Sequence, residues 1–414
     1  MTRYWHPFAD MGAVDASGEL AIVRGEGAYV FDAVGKRYFD ATAGLWYCNV
    51  GHGRSEIADA AARQMRDIAA YNNYGDLTTP AATELAERVS ALAPVPASRV
   101  FFVSGGSDAI DSAGKLARRY WYELGKPEKT VLLSRRNAYH GVNGFGTSIG
   151  GIEANREGYG PLLESAQVDW DSPSALDETI RRLGEDRVAA FFCEPVIGAG
   201  GILPPPDGYL AEVRRICRDR NVLFVADEVI TGFGRCGHWF ASERFGLDPD
   251  LLTCAKGITS GYVPLGALVI SPRVAEPFLR PGVMWRHGYT YSGHAAACAA
   301  ALANLDILER EGLIGRAAEL EHDLVAALEP LAGHSLVREV RGGTGVLAAV
   351  AFVDRDHALP ARTLAALRRL GVLSRLLADG ALQISPSFVS TRADLDALAD
   401  AIAAAVEVAA GEHR

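Results

Sequence analysis

Val222-Leu223-Phe224-Val225-Ala226-Asp227-Glu228-Val229 holds five apolar residues in a row that stop at two carboxylates. Such a run reads as a strand buried on both faces, and its abrupt acidic end as a strand terminus facing a site. Similar runs recur on either side of it. Residues 100–103, 131–134, 188–193, 251–254 and 265–270 are short, apolar and bounded by Gly, Pro, Asp or Ser. Between them lie amphipathic stretches of helical period at 108–124, 174–183 and 209–220. This alternation predicts an α/β fold with a mostly parallel sheet covered by helices on both faces. In such a sheet, functional groups collect at the carboxyl ends of the strands.

The flanks read differently. Ala28-Tyr29-Val30-Phe31-Asp32 and Gly35-Lys36-Arg37-Tyr38-Phe39-Asp40 form a hairpin-like pair about a turn. From residue 294 to about 331 the chain is Ala/Leu-rich and helical, with a break at Glu311-Gly312. Beyond it, 346–352 and 382–384 read as strands, and 363–370 and 392–410 as helices. The expected plan is a small α+β domain made from both ends, residues 1–48 and 301–414, around a large domain spanning 49–300.

Composition removes whole classes of function. With 49% hydrophobic and 22% charged residues in 414, the chain is globular. A net charge of −10 argues against a nucleic-acid partner, which asks for a basic stripe. No apolar run approaches the roughly 18 residues of a membrane span. The opening Met1-Thr2-Arg3-Tyr4-Trp5-His6-Pro7 lacks a signal-peptide pattern, and the six cysteines form no CxxC pair. No metal site is expected, and a reducing cytoplasm is. Lysine is scarce: only Lys36, Lys115, Lys126, Lys129 and Lys256.

Three constellations carry chemistry. In Phe101-Phe102-Val103-Ser104-Gly105-Gly106-Ser107-Asp108 a strand runs through a glycine hinge into a helix. Backbone N–H groups and a hydroxyl there make an anion cradle, although Ser104 or Ser107 could equally be a plain helix cap. The second is Asp227 at its strand end. In the third, Thr253-Cys254-Ala255-Lys256-Gly257-Ile258-Thr259, Lys256 has no acid within five positions. A lysine that must attack a carbonyl carbon needs such desolvation, and of the five only Lys256 has it by this reading. Pyridoxal 5'-phosphate (PLP) asks for these three things: a lysine for its aldehyde, a carboxylate for its pyridine nitrogen, and donors for its phosphate.

With these motifs, the chain resembles the class III aminotransferases, and among them the amine:pyruvate (omega) transaminases. The likeness runs through Trp5-His6-Pro7-Phe8, Gly44-Leu45-Trp46, Ala138-Tyr139-His140-Gly141 and Glu194-Pro195-Val196-Ile197-Gly198-Ala199-Gly200-Gly201. It continues in the Asp227 and Lys256 segments and in His287-Gly288-Tyr289-Thr290-Tyr291-Ser292-Gly293-His294. The resemblance implies the PLP-dependent transferase fold type I. It also implies a homodimer, or a tetramer, with the site shared between subunits. Lys256 is then the Schiff-base lysine and proton shuttle of a ping-pong transamination, and Asp227 the pyridine partner. Val229 and Tyr139 flank the ring beside His140, Gly106 and Ser107 hold the phosphate, and Thr290 reaches the phosphate in the partner's site.

The same resemblance speaks to substrate. Gln383 stands where the dicarboxylate and omega-amino acid subgroup has a fixed arginine that pairs with Glu194. Arg375 matches the mobile arginine of the amine:pyruvate subgroup, able to meet a carboxylate or swing away. Phe8, Trp46 and Tyr139, with Tyr74 and Trp285, are the expected pocket wall, and Arg286 a rim residue. Departures are Ser104-Gly105 for Asn-Ser, Asp108 for Glu, Leu376 for Pro and Ser387 for Pro. Trp5-His6-Pro7-Phe8 and Trp46-Tyr47 also resemble diaminopelargonate aminotransferases. A racemase, mutase or phospho-lyase on the same scaffold, or a catalytically silent PLP-holding dimer, are the other readings.

Overall fold

A computed structural model of the chain describes residues 2–353 and 358–411. The expected ends at residues 1 and 414 therefore lie outside the described residues. The apolar runs assemble into one seven-stranded sheet. Its spatial order is Arg99–Val103, Gly266–Ile270, Leu251–Cys254, Leu223–Asp227, Val188–Cys193, Val131–Arg135, Ser165–Val168. Gly266–Ile270 runs antiparallel to both its neighbours, and the remaining pairs are parallel. This is the expected α/β sheet, with one strand, Ser165–Val168, that sequence reading passed over. It is an edge strand of Ser-Ala-Gln-Val, half-buried over most of its length, so no apolar run marks it.

Side chains alternate between the two faces, and both faces are covered. Phe191, Phe224 and Leu252 pack with Tyr209, Val213 and Cys217 of the helix Tyr209–Asp219. Phe192, Val225 and Leu268 pack with Ile110, Leu116 and Trp121 of the helix Gly106–Glu123. Each such fully buried phenylalanine contributes about 1.5–3 kcal/mol. Double coverage explains why these strands have no polar face.

The two chain ends meet outside this sheet. Ile22–Glu26, Tyr29–Asp32 and Arg37–Asp40 form an antiparallel set, and Val372–Leu373 adds to it parallel to Arg37–Asp40. A third sheet joins Val337–Arg341, Ala348–Phe352 and Leu382–Ile384, flanked by the helices Ala358–Arg369 and Arg392–Gly411. The helical break falls where the sequence marks it: Gly312, at φ 62°, separates Ala295–Arg310 from Leu313–Leu328. Among the described residues no helix is long and apolar enough to cross a membrane, and no cluster of His, Cys, Asp or Glu could hold a metal. All six cysteines are free and buried.

Candidate active site

Five strands of the large sheet deliver residues to one cavity of about 910 Å³. Arg99–Val103 leads into Ser104–Ser107, Val131–Arg135 into Tyr139 and His140, and Val188–Cys193 into Glu194. Leu223–Asp227 ends on Asp227, and Leu251–Cys254 leads into Lys256. The cavity thus lies at the carboxyl ends of the strands, where the sheet leaves strand termini open.

Asp227 and Glu228 are neighbours in sequence and opposite in role. Asp227 is 4% exposed, with Oδ2 2.7 Å from His140 Nδ1. Its Oδ1 accepts from the Val229 amide at 3.1 Å and the Thr253 hydroxyl at 3.3 Å. The carboxylate is held in one orientation. Glu228 does not line the cavity, because successive residues of a strand alternate sides. It accepts from the Ala241 and Ser242 amides at 2.9 and 2.6 Å and anchors the short helix Ala241–Arg244. Burial pushes the Glu228 carboxyl up from its ordinary pKa.

Glu194 is buried with both oxygens occupied. Oε1 accepts from the Tyr139 amide at 3.0 Å and Oε2 from the Gly198 amide at 2.9 Å. It has no arginine partner among the described residues. Gln383 is fully buried and turned to Ser385 Oγ at 2.7 Å. Burial raises the Glu194 pKa.

Lys256 opens a short 3-10 turn, Lys256–Ile258, at φ 45°. Left-handed backbone at a non-glycine residue costs on the order of 1–3 kcal/mol, and it occurs here in a ligand cavity. Burial lowers the Lys256 pKa to about 8, against the pull of Asp227 and Glu194 and with help from Arg375. Half of the amine is then unprotonated at that pH, where an ordinary lysine is roughly 1 part in 300 free. Acylation of Lys256 in the cofactor-free protein, followed by peptide mass spectrometry, should therefore rise through a midpoint near pH 8. A midpoint above 10 would show that the cavity does not desolvate it.

The structure corrects one expectation here. Lys256 is not the only desolvated lysine. Lys129 is 1% exposed, and burial pushes its pKa to about 8 as well. Its Nζ donates to the Glu185 carbonyl at 2.7 Å and sits 4.4 Å from the Trp121 ring centre. Lys129 lies outside the cavity lining, and that, not desolvation, separates the two.

The glycine hinge feeds the helix Gly106–Glu123, whose N-cap is Gly105 with no side-chain cap. Neither Ser104 nor Ser107 serves as the cap. Ser107 Oγ accepts from the Val142 amide at 3.2 Å and keeps its own proton to donate. A Cβ at Gly106 would fall 2.8 Å from Val229 Cγ1, so only glycine lets these segments approach. The uncapped helix start, the hydroxyl, the oriented carboxylate and the desolvated amine fit the phosphate, pyridine nitrogen and aldehyde of PLP.

Trp46, Tyr139, Val229 and Arg375 also line the cavity, as does Phe8, which is 77% exposed. The Arg375 guanidinium has no hydrogen-bond or ion-pair partner among the described residues and lies 4.9 Å from the Trp46 ring centre. Burial lowers its pKa, with Tyr139 opposing. Thr290 is exposed and outside this cavity, and Arg286 is exposed. Tyr74 and Trp285 do not line it either, Trp285 packing against Phe101 and His287. Leu45, Tyr47, Ile152, Asn155 and Ile230 do line it, and sequence reading had not placed them there. Tyr47 could have been found beside Trp46; Ile152 and Asn155 arrive through a loop that carries no local mark.

Comparison with known proteins agrees with this geometry. The family model of class-III aminotransferases matches residues 12–406. The chain is 41% identical over 366 residues to the putrescine–pyruvate aminotransferase of Pseudomonas aeruginosa, covering 84% of this chain and 80% of that one. It superposes with a TM-score of 0.94 on a thermostable (S)-enantioselective omega-transaminase from Thermomicrobium roseum, at 40% identity over 98% and 96% of the two chains. An amine transaminase from an uncultivated Pseudomonas species, solved in its PLP-bound form, gives 0.93 and 38% identity over 99% of each. A match that runs through nearly the whole chain and takes in every strand of the cavity places it in a family: it belongs to the class III aminotransferases, which are PLP-dependent enzymes.

Proposed function

We propose that this aminotransferase moves the amino group of a primary amine or omega-amino acid to an α-keto acid such as pyruvate, in two half-reactions that share one site. The observation that carries the reading is Arg375. A guanidinium in the cavity wall, without an ionic partner among the described residues and resting on Trp46, is available to a keto-acid carboxylate and can turn aside for an apolar group. Gln383, bound to Ser385, offers no fixed cation in its place. The aromatic side chains of Phe8, Trp46 and Tyr139 suit arylalkyl or long-chain amines.

Bound PLP supplies an aldehyde that takes up the amino group and a ring that accepts electrons from the substrate Cα–H bond. Lys256, about half unprotonated at a working pH near its pKa of about 8, would take the proton from the substrate Cα and deliver it to the cofactor carbon on the other side of the transferred nitrogen. Asp227, oriented by His140, Thr253 and the Val229 amide, would hold the proton on the pyridine nitrogen. Gly106 and Ser107 would hold the phosphate at the helix start. Val229 and Tyr139 confine the ring.

The exposure of Thr290, outside its own chain's cavity, supports a homodimer in which it serves the partner's site. The pairing of Val372–Leu373 with Arg37–Asp40 supports a small domain built from both ends, around a central domain spanning 49–300. A cytoplasmic location goes with six free thiols.

A donor panel of arylalkyl amines, β-alanine, putrescine and a diaminopelargonate precursor, each with pyruvate, tests the reading through alanine formation. No alanine from any donor would remove it. Arg375→Ala should raise the KM for pyruvate roughly 10- to 100-fold, the worth of one charge-assisted hydrogen-bonded contact. Unchanged pyruvate kinetics would take Arg375 out of acceptor binding.

A further inference from the structure

The Leu45-Trp46-Tyr47 wall hangs on a turn that ordinary backbone preference opposes. Ala43 has φ 47°, Gly44 68° and Trp46 63°, so three of four successive residues are left-handed and two of those carry side chains. A single carboxylate meets the turn. Asp40 Oδ1 accepts from the Thr42 amide at 3.1 Å and lies 2.9 Å from the Thr42 hydroxyl. Asp40 Oδ2 accepts from the Gly44 amide at 2.6 Å and from His52 Nε2 at 2.9 Å. Asp40 is 5% exposed, so these contacts replace water, with the one Thr42 hydroxyl proton shared between Asp40 and the Gly44 carbonyl 3.0 Å away.

The same strand end ties the turn to the arginine. Asp40 pairs with Leu373, two residues before Arg375, and the Ala41 amide donates to the Leu373 carbonyl at 3.0 Å. The Trp46 ring centre then lies 4.9 Å from the Arg375 guanidinium and 5.8 Å from Lys256 Nζ. Tyr47 fills room left by two glycines: a Cβ at Gly44 or Gly261 would fall 2.2 or 2.1 Å from its ring. Every member of this wall depends on the turn keeping its shape.

We propose that Asp40, completed by His52, is a positioning residue for substrate selection: its carboxylate holds the left-handed turn that presents Leu45, Trp46 and Tyr47 to the cavity. The proposal rests on the reading of that cavity as an amine site. Burial alone would raise the Asp40 pKa; the bond to His52 and the Gly44 and Thr42 donors outweigh it and hold the carboxyl below its ordinary value. Asp40 is therefore ionised at neutral pH. Asparagine cannot substitute. It brings one acceptor and one NH₂ group, so either the Gly44 amide or the Thr42 donors would face another donor in a place closed to water.

The test compares holoenzymes of wild type, Asp40→Asn and His52→Leu with pyruvate and two donors, an arylalkyl amine and a short aliphatic amine. In parallel, Trp46 emission is isolated by subtracting the spectrum of Trp46→Phe. In Asp40→Asn the ratio of kcat/KM for the arylalkyl over the short amine should fall about tenfold, carried by KM for the arylalkyl donor. Trp46 emission should shift to the red and become open to iodide quenching. His52→Leu, which removes one donor and leaves the others, should lower the ratio about threefold. An unchanged ratio, or an equal loss for both donors, overturns the proposal. If Asp40→Asn does not fold, His52→Leu decides by the same criteria. If wild type turns over neither amine, the aminotransfer reading fails instead, and the emission shift alone decides the role of Asp40.

Discussion

Lys256→Ala is expected to lower amino transfer by about four orders of magnitude, the combined loss of a nucleophilic amine and a placed proton carrier. Among the described residues no second lysine lines the cavity to take its part. Asp227 is engaged with His140, and both Glu194 oxygens accept backbone amides. Lys129 shares the depressed pKa but lies outside the cavity. The substitution should be mild for the fold, because it removes a desolvated ammonium rather than a packed apolar group, and alanine is as able as lysine to hold φ 45°. The measurement is alanine formation from pyruvate at saturating donor, with the absorbance response to amine followed beside it. Activity within tenfold of wild type would end the case for Lys256.

Arg235→Ala should cost stability about 3–5 kcal/mol. Arg235 is fully buried and has no carboxylate partner among the described residues; burial lowers its pKa to about 10, so it stays charged at neutral pH. It is held instead by oxygen dipoles from distant parts of the chain. Nη1 donates to the Pro386 carbonyl at 2.7 Å, with the Ser385 and Val346 carbonyls at 3.3 and 3.4 Å, and Nη2 donates to Asn49 Oδ1. The Phe388 ring centre lies 4.8 Å from the guanidinium. Alanine would leave these acceptors dry and open a cavity beneath them. Thermal unfolding should move down by roughly 3–6 °C, and a shift below about 1 °C would show that the acceptors find other partners.

The segments that Arg235 joins are remote in sequence, and nothing local announces the meeting. The same distinction runs through the rest of the molecule. The central strands are legible because a strand covered on both faces has no solvent side on which to place polar residues. Ser165–Val168 is not, since an edge strand is free of that demand. The break at Glu311-Gly312 is legible because a left-handed residue between two helices calls for glycine. The turn over residues 42–47 is not: two of its left-handed residues are alanine and tryptophan, held there by a carboxylate that belongs to the preceding strand.

The candidate site divides in the same way. Gly105-Gly106-Ser107, Asp227 and Lys256 could be singled out because cofactor chemistry leaves local marks: a hinge before a helix, a carboxylate at a strand end, an amine without acids nearby. Those marks nominate residues without ranking them. Asp227 and Glu228 are adjacent acids, and the pleat turns one to the cavity and the other to a helix start. Lys256 and Lys129 are both desolvated, although Lys129 has a glutamate beside it in sequence; burial depends on what packs over a residue in space, and only one of them reaches the cavity. The central strands, the helices that cover them and the kind of chemistry the chain is equipped for are written in its amino acids, because each of these rests on local pattern and residue type. Which acid, which lysine and which aromatic residues face the cavity emerges from the folded chain, because facing is a property of packing between segments that the chain order keeps apart.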